Sequence, residues 1–239
     1  MAGRLLGVQD VAPGLWIWRI YHPFWHPGDD WEPVVTTTVV ESEGEVALLD
    51  PLAPDDDARD VWKRLDEKPP TMVVILKPDH VRDVDVFVRR YGIPAYGPGL
   101  FWKNDLPDSE LEMITPGMEL PGNMLVLSDG RWGQETPLYI PGVETIVFAD
   151  AMTERRGRLR VWSTPWNEEP PLRELDALKK LPFSRVVISH GSPVHDRAAY
   201  AAALQTPPWT SPELRAWARG LERYRALFDL GPWDIDEDD

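Results

Sequence analysis

The chain contains no cysteine. Disulfides and thiolate metal sites are therefore excluded, and any bound metal must take nitrogen and oxygen ligands. No apolar run approaches the ~20 residues of a membrane span. The first ten residues, Met1 to Asp10, lack the apolar core of a signal peptide. A cytoplasmic location with no membrane partner is the expectation. Positive charge is also scarce, with 25 Lys and Arg against 40 Asp and Glu, for a net charge of −15. Such a chain repels phosphate backbones, so nucleic acid is not an expected partner unless the fold hides a basic patch.

What remains is the composition of an ordinary soluble protein, long enough at 239 residues to bury a sizeable core. The expected organisation is one domain over residues 1–232, followed by an acidic, solvated tail over 233–239. Tryptophan (12) and proline (25) are abundant and fall together, as in Phe24 to Pro27, Trp31 to Pro33, Thr164 to Trp166 and Pro208-Trp209. Packed Trp-Pro loops can order long connections. They read either as rim packing or as the lining of an apolar pocket.

The order of elements is α/β. Residues 14–20 alternate like a strand, and 33–41 with 45–50 read as a hairpin. A helix with an acidic start follows, its apolar stripe made by Ala58, Val61, Trp62 and Leu65. A strand at 72–76 and a helix from about Val81 to Tyr91, stopped by Gly92, come next. The stretch 93–150 is punctuated by Gly and Pro, with a clear hairpin over 137–150 turning at Pro141-Gly142. Helix 171–181, strand 185–189 and helix 196–204 follow. Ser211-Pro212 then caps a last helix carrying Leu214, Trp217, Leu221 and Phe228. Two mixed sheets with helices on their outer faces account for this order.

Three apolar, β-branched runs close on polar residues: Thr71 to Asp79-His80, Glu144 to Asp150, and Ser184 to His190-Gly191. A rigid sheet presents residues at such strand ends while the loops leave the site open. Two Asp and two His delivered this way suit a divalent metal of the zinc type.

These segments resemble the metallo-β-lactamase fold superfamily of metal-dependent hydrolases. Residues 11–16 resemble its first strand, Ala47 to Asp50 its second-hairpin Asp, and Pro78-Asp79-His80 the end of its HxHxDH motif. Thr145 to Met152 resemble the strand with the metal-bridging Asp, and Val187 to Val194 the last ligand strand. The resemblance spans about Val11 to Pro193 and implies an αββα four-layer sandwich. The departures are equally specific. Ile75 and Lys77 stand where the first two His would be. No His occurs between His80 and His190, and Arg131 follows the Gly where the middle His would be. The losses all fall on one of the family's two metal sites. The resemblance therefore implies a one-metal site of Asp79, His80, Asp150 and His190, taking Zn²⁺ or else Mn²⁺ or Fe²⁺.

On this reading a metal-activated water attacks an ester, thioester, lactone or amide of a small molecule. Asp79, Asp150 and Lys77 are the candidate catalytic residues, with Lys77 or Arg131 binding a substrate carboxylate or replacing the charge of the lost metal. His22, Trp25 and His26 are candidates for substrate binding in a loop over the site. The structural alternatives stay open. His80 could be a helix-start residue beside Asp79 as N-cap, His190 a strand-end His bonded to a loop, and Asp150 a turn former. His22 and His26 could be loop packing, and Lys77 and Arg131 surface charges. The competing functional readings are a pseudoenzyme that binds a partner without metal, in which Arg82 pairs with Asp79 or Asp83, and a Trp-lined cleft for an apolar ligand. No role is assigned to His195, and the sequence leaves the oligomeric state open.

Overall fold

Side chains along residues 15–20 alternate between two apolar environments. Leu15 and Ile17 face one, Trp16, Trp18 and Ile20 the other, and all are almost fully buried. A strand buried on both faces needs a layer on each side, which dictates the architecture. The computed structural model describes residues 3–220 apart from 28, 30, 102–105, 131–134, 165–168, 213, 214 and 217.

One sheet has seven strands in chain order: β1 (Arg4–Ala12), β2 (Leu15–Tyr21), β3 (Val34–Ser42), β4 (Glu45–Leu49), β5 (Met72–Val74), β6 (Ala95–Gly97) and β7 (Leu111–Met113). Helix α1 (Arg59–Glu67) links β4 to β5, and α2 (Val84–Tyr91) links β5 to β6. The other sheet contains β8 (Glu119–Leu120), β9 (Met124–Val126), β10 (Leu138–Ile140), β11 (Thr145–Val147), β14 (Arg185–Val187) and β15 (Val194–Asp196). Its spatial order is 15-14-11-10-9-8. A separate hairpin, β12 (Met152–Arg155) and β13 (Arg158–Val161), precedes α3 (Glu169–Ala177), and α4 (Arg197–Leu204) follows β15.

Three apolar clusters hold these layers together. Leu15, Val40, Leu49 and Val74 from one sheet meet Val126, Leu138, Val147 and Val187 from the other. Val61, Leu65, Val84 and Phe87 cover the outer face of the first sheet. Leu175, Tyr200 and Ala203 cover that of the second. Burying Val61 and Leu65 contributes about 2 kcal/mol each. The expected αββα sandwich of two mixed sheets is the observed one.

Two parallel pairs place the polar strand ends. β4 runs parallel to β5, and β11 runs parallel to β14. Asp50 follows β4, Lys77 to His80 follow β5, Asp150 follows β11 and His190 follows β14. All four ends therefore point the same way out of their sheets, where ligands bind in open parallel sheets. The sheets are stitched together there: Thr36 N donates to Ser189 O at 3.0 Å, and Val35 bridges to His190.

Three elements differ from expectation. Edge strand β1 and the β12–β13 hairpin differ because β1 is largely exposed and lacks strict alternation, while the hairpin is rich in charged residues. Helix α2 begins at Val84 rather than Val81. Arg82 takes a left-handed φ of 47°, which no helical turn tolerates, so 77–83 is a tight loop and Asp83 holds the N-cap position. His80 is therefore not a helix-start residue. Arg131, Trp166, tail 233–239 and Leu214, Trp217, Leu221 and Phe228 lie outside the described residues. Among the described residues no helix is long and apolar enough to cross a membrane.

Candidate metal centre

His80, Asp150 and His190 each present a ligand atom, and these atoms lie within 4.8 Å of one another. Oδ1 of Asp150 lies 3.5 Å from Nε2 of His80 and 3.2 Å from Nε2 of His190. Both imidazoles are buried, 5% and 6% exposed. That oxygen is also buried and takes no well-aligned hydrogen bond among the described residues. A buried carboxylate oxygen left in this way suits a cation. Among the described residues this is the one such group.

The back of the site is fixed from below. Oδ1 of Asp50 accepts from Leu76 N at 2.7 Å, and Oδ2 accepts from Nδ1 of His80 at 2.8 Å. This bond leaves Nε2 of His80 free to ligate, and an outer carboxylate of this kind orients and strengthens a metal-binding His. Glu135, only 3% exposed, accepts the backbone N–H groups of Ala149, Asp150 and Ala151 at 2.9, 2.8 and 2.6 Å. It thereby sets the turn that aims Asp150.

Two cations border the same carboxylates. Nζ of Lys77 lies 2.8 Å from Oδ2 of Asp150 and 2.5 Å from Oδ2 of Asp79. The guanidinium of Arg82 donates to the carbonyls of Asp50 at 2.7 Å and Thr36 at 3.3 Å, rather than forming the expected pair with Asp79 or Asp83. These bonds hold Arg82 in its left-handed conformation, as they do the adjoining Asp50 at φ 46°.

Without metal, the electrostatics separate the two imidazoles. Burial and Arg82 pull His80 down, but Asp150 and Asp50 outweigh them and push it up to about 9. His190 shares Asp150 but has no second carboxylate, and burial pulls it below the ordinary histidine value. Burial raises Asp150, yet Lys77, His80 and His190 hold its carboxylate well below the usual range. Burial opposes the charge on Lys77, while Asp150 and Asp79 raise it above the ordinary lysine value. A metal entering the site must displace the proton on His80.

Of the four expected ligands, the structure brings three together. Asp79 stands on the outer side of Lys77, its carboxylate 38% exposed. His22 joins the site through an aromatic chain, 5.0 Å from Trp31, whose ring lies 5.5 Å from His190. Burial, Arg82, His190 and His80 pull His22 down to about 4. Trp25 supports that chain by donating Nε1–H to Trp31 O at 2.9 Å. His26 is exposed in the loop, its backbone N–H on Asp29. His195 lies 3.7 Å from Glu154. The contacts of Asp50, Glu135 and Trp31 with this group add to the residues expected from sequence. For Asp50 the available signal was its place at a strand end.

The donor set of two imidazoles and a carboxylate could hold a metal ion. Lys77 contacts the second oxygen of Asp150, and Ile75 is buried in the outer core.

Solved structures of the same architecture are found by comparison. A metallo-β-lactamase from Pontibacter korlensis aligns with a TM-score of 0.62 at 17% identity, over 85% of this chain and 100% of that one. DIM-1 metallo-β-lactamase aligns at 0.64 and 14% identity, over 86% and 97%. The FIM-1 metallo-β-lactamase from Pseudomonas aeruginosa, in a mono-zinc form, aligns at 0.61 and 13% identity, over 85% and 95%. No protein-family model and no curated protein matches the chain. The chain has the metallo-β-lactamase fold.

Proposed function

We propose that this chain is a one-metal hydrolase of small-molecule esters, thioesters, lactones or amides. The observation that carries the reading is the convergence of His80, Asp150 and His190, whose ligand atoms lie within 4.8 Å of one another around a buried carboxylate oxygen that takes no well-aligned hydrogen bond among the described residues. These three residues would hold the metal, Zn²⁺ before Mn²⁺ or Fe²⁺. A zinc-type ion bound there supplies a Lewis acid and a water with a pKa of about 7.

The chain's own groups divide the remaining work. Asp50 fixes the tautomer of His80, and Glu135 aims Asp150. Lys77, anchored between Asp150 and Asp79, offers positive charge to a substrate carboxylate or to a developing oxyanion. Asp79 is the exposed carboxylate beside it and would be the group that accepts a proton. Trp31 and a neutral His22 wall the entrance over His190.

A metal-free binding module is the second reading, and one observation favours it. Around the imidazoles the carboxylates of Asp50, Asp79 and Asp150 face Lys77, Arg82 and a protonated His80, so the charges balance with no metal. The test is hydrolysis of a panel of nitrophenyl esters, thioesters and lactones after chelation and after reloading with Zn²⁺ or Mn²⁺. Turnover that returns with metal and is abolished in His190→Ala supports the hydrolase. Metal uptake without turnover of any member refutes it, and stabilisation by a panel compound in the chelated protein supports the module.

A further inference from the structure

We infer that the β12–β13 hairpin and residues Trp209, Thr210, Pro212, Arg215 and Arg219 form a binding site for a small polyanion carrying two or more phosphate groups. A cavity of about 660 Å³ opens between them, lined by Arg155, Arg156, Arg158, Arg160, Arg215 and Arg219. These are six of the 19 arginines in a chain whose net charge is −15. Among the described residues the lining includes no Asp or Glu.

The arginines are brought together against their mutual repulsion. Arg155 and Arg158 face one another directly across the hairpin, where like charges destabilise the pair. The turn between them is Arg156-Gly157, both at positive φ, 55° and 73°. Asn or Gly is the usual first residue of such a turn, so an arginine there is strained. Arg215 and Arg219 stand four residues apart on a helical stretch, again like against like. Sequence that tolerates this repeatedly on one face of an acidic protein suits an anion that relieves it.

The guanidinium groups are also held in place. Arg155 stacks 3.9 Å over the ring of Trp209 and pairs with Glu32 at 2.8 Å. Arg160 donates to the carbonyl of Pro207, and Arg215 to those of Thr210 at 3.3 Å and Pro208 at 3.4 Å. Trp209 is itself fixed by donating its backbone N–H to Val161 O at 2.7 Å. Arg156, Arg158 and Arg219 are exposed and make no ion pair among the described residues. All six are arginine, the residue whose rigid fork grips phosphate oxygens in pairs, and none is lysine. The volume is that of a small-ligand site. The strongly acidic remainder of the chain disfavours a long nucleic-acid backbone.

The test uses the full chain, treated with chelator so that phosphate cannot act through metal. Tripolyphosphate is titrated by calorimetry and thermal shift, beside sulfate, ATP and a single-stranded oligonucleotide. The inference expects saturable binding of tripolyphosphate and ATP, tighter than sulfate and retained in His80→Ala/His190→Ala. It expects affinity to fall on the order of tenfold or more in Arg156→Gln/Arg158→Gln/Arg219→Gln, whose exposed side chains leave the fold intact by circular dichroism. ATP binding alone at this site specifies a nucleotide, and tripolyphosphate binding alone a free oligophosphate. Absence of saturable binding, or binding unchanged in the triple variant, overturns it. Tighter binding of the oligonucleotide than of tripolyphosphate, lost in the triple variant, also overturns it and assigns the face to nucleic acid.

Discussion

Lys77 and Asp150 meet through one carboxylate oxygen only. Nζ of Lys77 lies 2.8 Å from Oδ2, while Oδ1 turns to the two imidazoles. One side of the carboxylate is thus neutralised by the chain, and the other is available to a cation. Removing the ammonium leaves Asp79 and Asp150 side by side. Lys77→Met should destabilise the metal-free protein by about 3 kcal/mol. It should also enlarge the rise in Tm that Zn²⁺ produces, because the competing charge is gone. Thermal unfolding with and without Zn²⁺ measures both, and a zinc-induced rise smaller than wild type contradicts the opposition of charges.

Asp50 acts through His80. In Asp50→Asn the side chain can still accept from Leu76 N, but its amide no longer takes the Nδ1 proton as a carboxylate does. Metal affinity should fall about 10- to 100-fold with the fold retained. Chelator competition measures the affinity, and an unchanged value would remove Asp50 from the site.

Glu135 satisfies three backbone N–H groups at once. Glu135→Gln replaces one carboxylate oxygen with a donor that faces another donor. The expected loss is about 1–3 kcal/mol, read by denaturant unfolding. Metal affinity should fall with it, since the turn that aims Asp150 loosens.

The metal-free protein should have a pH optimum of stability. The value of His80 is raised, so its contribution is complete below the unfolded value of ~6.5 and is lost as pH rises through about 9. The loss is at most about 3 kcal/mol. His190 and His22 are lowered, so stability also declines as pH falls below ~6.5. His80→Gln should flatten the alkaline limb. Zn²⁺ affinity should rise over the same alkaline range, as the proton leaves His80. Denaturant unfolding in chelator across pH tests the first claim, and zinc competition tests the second.

The candidate site was legible where one residue could be read from its own run. His80, Asp150 and His190 each follow an apolar run, and the strands in those runs, β5, β11 and β14, are largely buried. Residues whose role depends on pairing between distant segments were not legible. Asp50 supports His80 only because β4 and β5 are parallel neighbours. Glu135 reaches Asp150 from a Gly-punctuated stretch with no periodicity. Asp79 sits beside His80 in sequence, yet the loop bent by Arg82 turns it outward onto Lys77. The arginine face needed two segments some fifty residues apart, joined by the Trp162–Trp209 bridge.

The central claim is that His80, Asp150 and His190 hold one metal. The most direct measurement is elemental mass spectrometry of untagged protein, beside His80→Ala/His190→Ala. About one zinc-type ion per chain is expected, lost in the double variant. No metal in the wild type, even after incubation with excess Zn²⁺ and Mn²⁺ and removal of the excess, would contradict it.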